Sequence, residues 1–265
     1  MKIITWNCRS ATIDSSLWDY FLELDPDIAL LQDVKSVPEK VSSVYDIYSK
    51  QAMGKEKPQQ FDTAILAKGK GSIGEEIILK GTEDWVNNEL KRFSGNLVAR
   101  KIIMDNETSI NAISVYSPAR PVDPDRIKGI DTSNVRLTEN KDVWVADLLW
   151  TSLKHLKINL EDSWVVAGDF NLSETFDHWT GGPRGNREYL DRMAKLGFTE
   201  CLKSFQNKLT PSFRNSKNGK IEHQTDHLFV NYKLAKDLDA CNTGLQDRVF
   251  NRDLSDHLPI IAEFK

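Results

Sequence analysis

Apolar residues along this chain gather into short runs separated by polar and turn-forming residues, and the spacing within each run predicts its element. Compact runs rich in Val, Ile, Leu and aromatic residues predict strands at Lys2 to Asn7, Ile28 to Gln32, Thr63 to Leu66, Asn96 to Ala99 and Ser109 to Tyr116. Three more are predicted at Trp164 to Ala167, His227 to Val230 and Ile260 to Phe264. Helical spacing predicts an amphipathic helix over Ser15 to Leu24, with Ser15 near its N-cap. It predicts a second helix over Lys141 to Leu156, through Val143, Ala146, Leu149 and Leu153, and a third over Arg187 to Leu196. Helix and strand are interspersed without internal repeats or low-complexity tracts, and strand-like segments lie near both ends, so one domain over 1–265 is expected.

Three connections carry turn chemistry. Ala119 to Arg136 mixes Pro121, Asp123, Pro124 and Asp125 with basic residues and reads as irregular surface. Leu172 to Asn186 holds Gly181-Gly182-Pro183-Arg184-Gly185, which is incompatible with regular structure there. Asn218-Gly219 predicts a type I′ hairpin turn projecting Arg214, Lys217 and Lys220.

The 35 basic and 39 acidic side chains leave a net charge of -4, so no global attraction to a polyanion exists and any nucleic-acid contact must be local. The apolar run after Met1 is too short for a signal peptide and no stretch approaches the ~20 apolar residues of a membrane span. A cytoplasmic protein without membrane contact is expected. Cys8, Cys201 and Cys241 lack zinc-ligand spacing and read as free core thiols.

Four islands concentrate carboxylates, amides and one histidine: Thr5-Trp6-Asn7, Leu31-Gln32-Asp33, Gly168-Asp169-Phe170-Asn171 and Ser255-Asp256-His257. Phosphodiester hydrolysis at neutral pH needs charge neutralisation on the phosphoryl oxygens, an activated in-line water and help for the departing oxygen. Carboxylates with Mg²⁺ supply much of this, because Mg²⁺ prefers oxygen ligands and commonly takes one or two protein carboxylates together with substrate phosphate. One Asp at a strand boundary is ordinary; Asp33, Asp169 and Asp256 together carry the reading. Gly168 permits close backbone approach, and on an extended chain Asp169 and Asn171 would face the same side. The alternative there is an Asx turn ending the strand. His257 can donate to a phosphate or exchange a proton with water, with Asp226 the candidate to orient its ring. His155, His178 and His223 read as surface residues, and none of them, nor His227, is given a role.

In order and spacing these islands resemble the endonuclease/exonuclease/phosphatase superfamily over essentially the whole chain. Trp6-Asn7 looks like its opening Asn motif, Ile28 to Asp33 like its metal-carboxylate strand, and Ser114-Val115-Tyr116-Ser117-Pro118 like the strand carrying a catalytic tyrosine. The Gly-Asp-Phe-Asn and Ser-Asp-His motifs complete the match. The resemblance implies an α+β fold, a four-layer αββα sandwich of two face-to-face sheets, with a Mg²⁺ or Mn²⁺ site at one end. It implies that Asp33 holds the metal with Asn7, Asp256 completing the acidic cluster, and that Asp169 positions or deprotonates the attacking water. Asn171 would hold the phosphate, Tyr116 would contact the scissile group, and His257, oriented by Asp226, would stabilise its charge.

Departures shape the expectation. The superfamily usually carries Glu at the position of Asp33; the missing methylene withdraws the carboxylate by about 1.5 Å, so Mn²⁺ preference or reduced activity is expected. Tyr116 resembles the exonuclease III, abasic endonuclease and retrotransposon endonuclease branches, whereas Arg9, Ala119 and His223 depart from a dedicated abasic endonuclease. The inositol-polyphosphate phosphatase signature is absent near Asp226. The leading expectation is a nuclease contacting DNA or RNA through Arg120, Arg126 and Arg136 and through Arg214, Lys217 and Lys220. A phosphoesterase acting on a small phosphate ester fits the pI of 5.8, and a binding module weakened at Asp33 is the third reading.

Overall fold

The computed structural model describes residues 1–104, 108–156, 161–179 and 184–265. Its strands are β1 (Lys2–Ala11), β2 (Ile28–Val34), β3 (Tyr45–Met53), β4 (Pro58–Lys68), β5 (Ile73–Glu76), β6 (Leu97–Ile103) and β7 (Ser109–Tyr116). They continue with β8 (Ser163–Asp169), β9 (Phe198–Glu200), β10 (Phe213–Arg214), β11 (Ile221–His223), β12 (Asp226–Asn231), β13 (Leu238–Thr243) and β14 (Ile260–Phe264). One six-stranded sheet runs β13-β14-β1-β2-β4-β3, a second runs β5-β6-β7-β8-β12-β9, and β10 and β11 form a separate hairpin.

The four layers follow from the two-residue period of strands. Ile3 and Leu30 of the first sheet meet Val165 and Leu228 of the second in a core between the sheets, while their neighbours Ile4 and Leu31 face the other way, against Leu17, Trp18 and Phe21 of helix Leu17–Leu24. On the far side of the second sheet, Val166 and Phe229 pack against Leu149 and Leu153 of helix Val145–Leu156 and Tyr189 and Met193 of helix Asn186–Lys195. Both faces of the central strands are covered, which is why they read as continuous apolar runs. The fold is the expected αββα sandwich.

Ser15 lies next to the N-cap of the first helix, Ser16, as expected, and its Oγ accepts from the Thr12 N–H at 2.9 Å. Local chemistry corrects two expectations. The helix predicted from Lys141 starts at Val145, because the Val143 carbonyl accepts from Val122 N at 2.8 Å and Asp147 accepts from Trp144 N at 2.8 Å. Asn218-Gly219 is not a type I′ turn: Gly219 has φ +71° while Asn218 is not left-handed, and Gly219 N donates back to Asn215 O at 2.8 Å. Edge strands β3 and β13 and helix Asp84–Arg92 had no predicted counterpart. The Leu172 to Asn186 connection contains a short 3₁₀ turn, Glu174–His178; its Gly181, Gly182 and Pro183 lie outside the described residues. Cys8, Cys201 and Cys241 are buried free thiols.

Candidate active site

Strand ends bring the islands together. β1 and β2 are parallel, as are β7 and β8, and Asn7 Nδ2 donates to Asp169 Oδ2 at 2.9 Å, joining the ends of β1 and β8 across the two sheets. β12 runs antiparallel to β8 with Asp226 opposite Asp169, while β14 runs antiparallel to β1, which brings the preceding His257 to the same end. Beneath them a buried polar link sets the alignment of the sheets: Gln32 Nε2 donates to Ser114 Oγ at 3.1 Å. Gly168 is required where β8 passes β7, since a Cβ there would lie 1.9 Å from Val115 O.

His257 is buried with Nδ1 at 2.9 and 3.1 Å from the Asp226 oxygens, and its Nε2 lies 4.0 Å from Asp169 Oδ2. Its ring is clamped further: the Trp6 indole donates to His257 O at 2.8 Å, and the Phe213 ring lies 4.8 Å away. Burial alone would lower its pKa, but the charges of Asp226 and Asp169 and the Asp226 hydrogen bond outweigh burial and push it up to about 10. The Asp169 carboxyl is raised by burial and by Asp226, against the pull of His257 and of hydrogen bonds from Asn171 and Asn7. Asp226 is held by Ser212 Oγ at 2.6 Å. Asp169, Asp226 and His257 present ligand atoms within 4.8 Å of one another, a cluster able to bind a metal.

Asn171 is not extended. It has φ +49°, its N–H donates to Asp169 Oδ1 at 2.9 Å as in an Asx turn, and its Nδ2 donates to Ser117 O at 2.8 Å and to Asp169 Oδ2 at 3.2 Å. Acid and amide are together as expected, through a turn rather than a shared strand face.

Asp33 stands on a distortion. Arg9, Ser10 and Asp33 have φ of 48°, 60° and 55°, and the β1–β2 register breaks between Asn7 and Ala11. Such bulges re-aim side chains beside active sites. Ser10 Oγ donates to Asp33 Oδ1 at 2.8 Å, and the Asp33 carboxyl is raised by burial and, in addition, by the charge of Asp256. Tyr116 packs edge-on against Phe61 at 5.0 Å; its hydroxyl is pushed up by burial and by Asp169 and Asp33, so the phenol stays protonated as a donor.

A family model described as the endonuclease/exonuclease/phosphatase family matches residues 4–257. The chain belongs to that family. Its members are hydrolytic phosphoesterases. No curated protein sequence matches the chain. Among solved structures, an AP endonuclease from Archaeoglobus fulgidus is 20% identical with a TM-score of 0.69, covering 100% of this chain and 99% of its own. The 3′ phosphatase NExo from Neisseria, bound to product DNA hairpin, is 18% identical with a TM-score of 0.67, covering 100% and 99%. The Xenopus laevis APE2 catalytic domain is 19% identical with a TM-score of 0.69, covering 100% and 92%. These likenesses establish the fold.

Within this family member the basic candidates have separate placements. Arg126 is bound to buried Glu89 at 2.7 Å, and Arg136 Nη1 donates to the carbonyls of Asn140 and Leu137 at 3.0 and 3.3 Å. Arg214 lies beside the site, with its N–H on Asp256 O at 2.8 Å and its guanidinium over the Phe250 ring. Arg120 and Lys217 are exposed, and Lys220 lies 3.3 Å from Glu222. No described helix is long and apolar enough to cross a membrane.

His155 and His178 are exposed as expected, but His223 is half-buried among aromatic rings. His227 is buried with Nε2 at 3.0 Å from Leu172 O. The sequence reading missed Ser10, Ser212 and Asn96, the last holding Tyr116 through N–H to Asn96 O at 2.8 Å. Their partners are 20 or more residues away except for Ser212 and Asp226, 14 apart, so no local motif announces them.

Proposed function

We propose that this chain, acting as one catalytic domain over 1–265, is a divalent-metal-dependent phosphodiester hydrolase, most specifically a nuclease acting on DNA or RNA. The carrying observation is the buried His257 between Asp226 and Asp169, with Asp169 also held by Asn7 and Asn171. Asp226 keeps the imidazole charged and oriented, so that Nε2–H can meet an oxygen that gains charge during cleavage. Asp169, whose raised pKa makes it a stronger base than an ordinary carboxylate, accepts a proton from an attacking water, and Tyr116 donates to the scissile group. Asn171 supplies an amide to the phosphate by exchanging the longer of its two Nδ2 hydrogen bonds, the one to Asp169 Oδ2.

The donor set fits a hard dication. Asp33 and Asp256 add carboxylate charge to one another, and Asn7 contributes an amide oxygen, an all-oxygen set of the kind Mg²⁺ or Mn²⁺ takes. Asp33 and Asp256, with Asn7, would hold the ion, which would neutralise phosphoryl charge. Asp226 is less suited, since both its oxygens already face His257 Nδ1.

Support for a polymer substrate comes from the neighbours named as an AP endonuclease and as a 3′ phosphatase bound to a DNA hairpin. A small phosphate ester is the second reading, favoured by the internal pairing of Arg126 and Arg136. The test is Mg²⁺- and Mn²⁺-dependent cleavage of supercoiled plasmid, linear duplex, single-stranded DNA and RNA, with Asp169→Asn and His257→Ala purified in parallel. Cleavage lost in both variants supports a nuclease; no polymer cleavage, with turnover of a small ester, selects the second reading.

A further inference from the structure

Next to the catalytic residues lies an aromatic group that the hydrolytic chemistry leaves unused. The Phe176 ring centroid is 4.6 Å from that of His223 and 5.7 Å from that of Trp179, and the Trp179 and His223 rings lie 6.1 Å apart at 32°. Trp179 is 54% exposed, so among the described residues its ring offers open aromatic surface beside Phe176 and His223.

The segment bearing it is fastened. Arg184 donates to the carbonyls of Phe176 and Asp177, and the Asp177 carboxylate accepts from the backbone N–H groups of Asn186 and Arg187 at 2.9 Å each. His223 is held by Thr175 Oγ1, 2.8 Å from its Nδ1. Burial lowers the His223 pKa, so near neutral pH it is a flat, uncharged ring. The group is continuous with the catalytic centre: His223 pairs with Phe213 across β10 and β11, and Phe213 packs on His257.

We propose that Trp179, backed by Phe176 and His223, is a stacking platform for an unpaired nucleobase of the strand whose phosphodiester lies at His257. The proposal rests on the phosphodiester-hydrolase reading and adds that the substrate strand is single-stranded or frayed at the site. Every nucleobase has a π-face, so such a platform binds strands with little sequence preference. The net charge of -4 and the internal pairing of Arg126 and Arg136 leave limited long-range attraction for phosphate, and stacking supplies affinity that charge does not.

The test compares a strand of about eight thymidines with an abasic strand of the same length and charge. Each is bound, with Mg²⁺ present and Asp169→Asn throughout to prevent cleavage, to the otherwise wild-type protein, Trp179→Ala and Trp179→Phe, with affinity read by anisotropy and stacking by tryptophan quenching. Trp179→Ala should weaken thymidine-strand binding by about tenfold or more, Trp179→Phe should restore most of it, and all three proteins should bind the abasic strand alike. The platform is overturned if Trp179→Ala binds thymidines as the wild type does, if both strands weaken equally, or if the wild type binds neither strand. Strand binding that depends on Trp179, in a wild type that cleaves no polymer, would keep the platform and remove the nuclease.

Discussion

Replacing Asp226 with Asn tests the charge logic of the site. The His257 ring is buried, and its rise from 6.5 to about 10 occurs against burial, with Asp226 the largest opposing influence. The difference corresponds to on the order of 5 kcal/mol favouring the imidazolium. Asn keeps the shape and a carbonyl acceptor for Nδ1–H but carries no charge, so burial gains weight and the His257 pKa falls towards or below 6.5. At pH 7.5 the ring then changes from almost wholly charged to mostly neutral. On the proposed mechanism kcat drops by about 10²- to 10³-fold, the scale of losing one preorganised donor, and the deficit narrows in acid as the imidazolium returns. The fold carries the same signature. A raised histidine pKa gives stability that is fully present below about pH 6.5 and lost as pH rises towards 10, and Asp226→Asn should flatten that slope. An NMR titration of the His257 ring, run beside pH-dependent cleavage, measures both. A ring that titrates at the same pH in both proteins, or a kcat within about threefold at pH 7.5, would refute the reasoning.

Other substitutions probe separate links. Gly168→Ala places a Cβ 1.9 Å from Val115 O, so denaturant unfolding should show a loss of at least about 3 kcal/mol; a loss below about 1 kcal/mol would mean that β7 and β8 separate easily. Burial raises the Asp147 carboxyl from 3.8 to about 7, a penalty absent below about pH 4 that grows up to pH 7. Asp147→Asn should therefore raise the Tm at pH 8 by up to about 4 kcal/mol equivalent but leave it near wild type at pH 4, and equal shifts at both would contradict the assignment. Asp33→Glu should strengthen Mg²⁺ relative to Mn²⁺, read both as activity and as the ion-dependent rise in Tm; unchanged metal dependence and rate would remove Asp33 from the ion site.

Legibility in the sequence followed the range of the interactions. Ile3-Ile4, Leu30-Leu31 and Val165-Val166 feed cores on opposite faces, so apolar runs announced the central strands, and the candidate acids were visible as polar interruptions at the strand ends. Edge strands such as β3, with half-exposed Ile47 and Tyr48, carry no such run. Within the site, Asn171 and Asp33 were assigned by type, but the side-chain hydrogen bonds that accompany their left-handed backbones reach distant partners, Ser117 for one and Ser10 for the other. The pairing of Arg126 was hidden for the same reason: it looks free in sequence because Glu89 lies 37 positions away.

The charge arrangement also explains why the proposed site takes a cation and its substrate together. Three carboxylates, Asp169, Asp226 and Asp256, act on one imidazolium, and Asp33 adds a fourth negative charge through Asp256. Asp226 is balanced by His257, Asp169 shares in that balance, and Asp33 is left with the charge of Asp256 adding to the cost of its own. A phosphodiester entering this end would meet uncompensated negative charge in a partly dry site, where repulsion is weakly screened. A dication at Asp33 and Asp256 reverses the sign of that encounter, and the phosphate in turn offers the dication oxygen ligands that Asp33, shorter than Glu, supplies less readily. On the proposed function each ligand would therefore strengthen the other's binding by the same factor, and the shortened carboxylate would shift ion affinity from the free protein to the substrate complex.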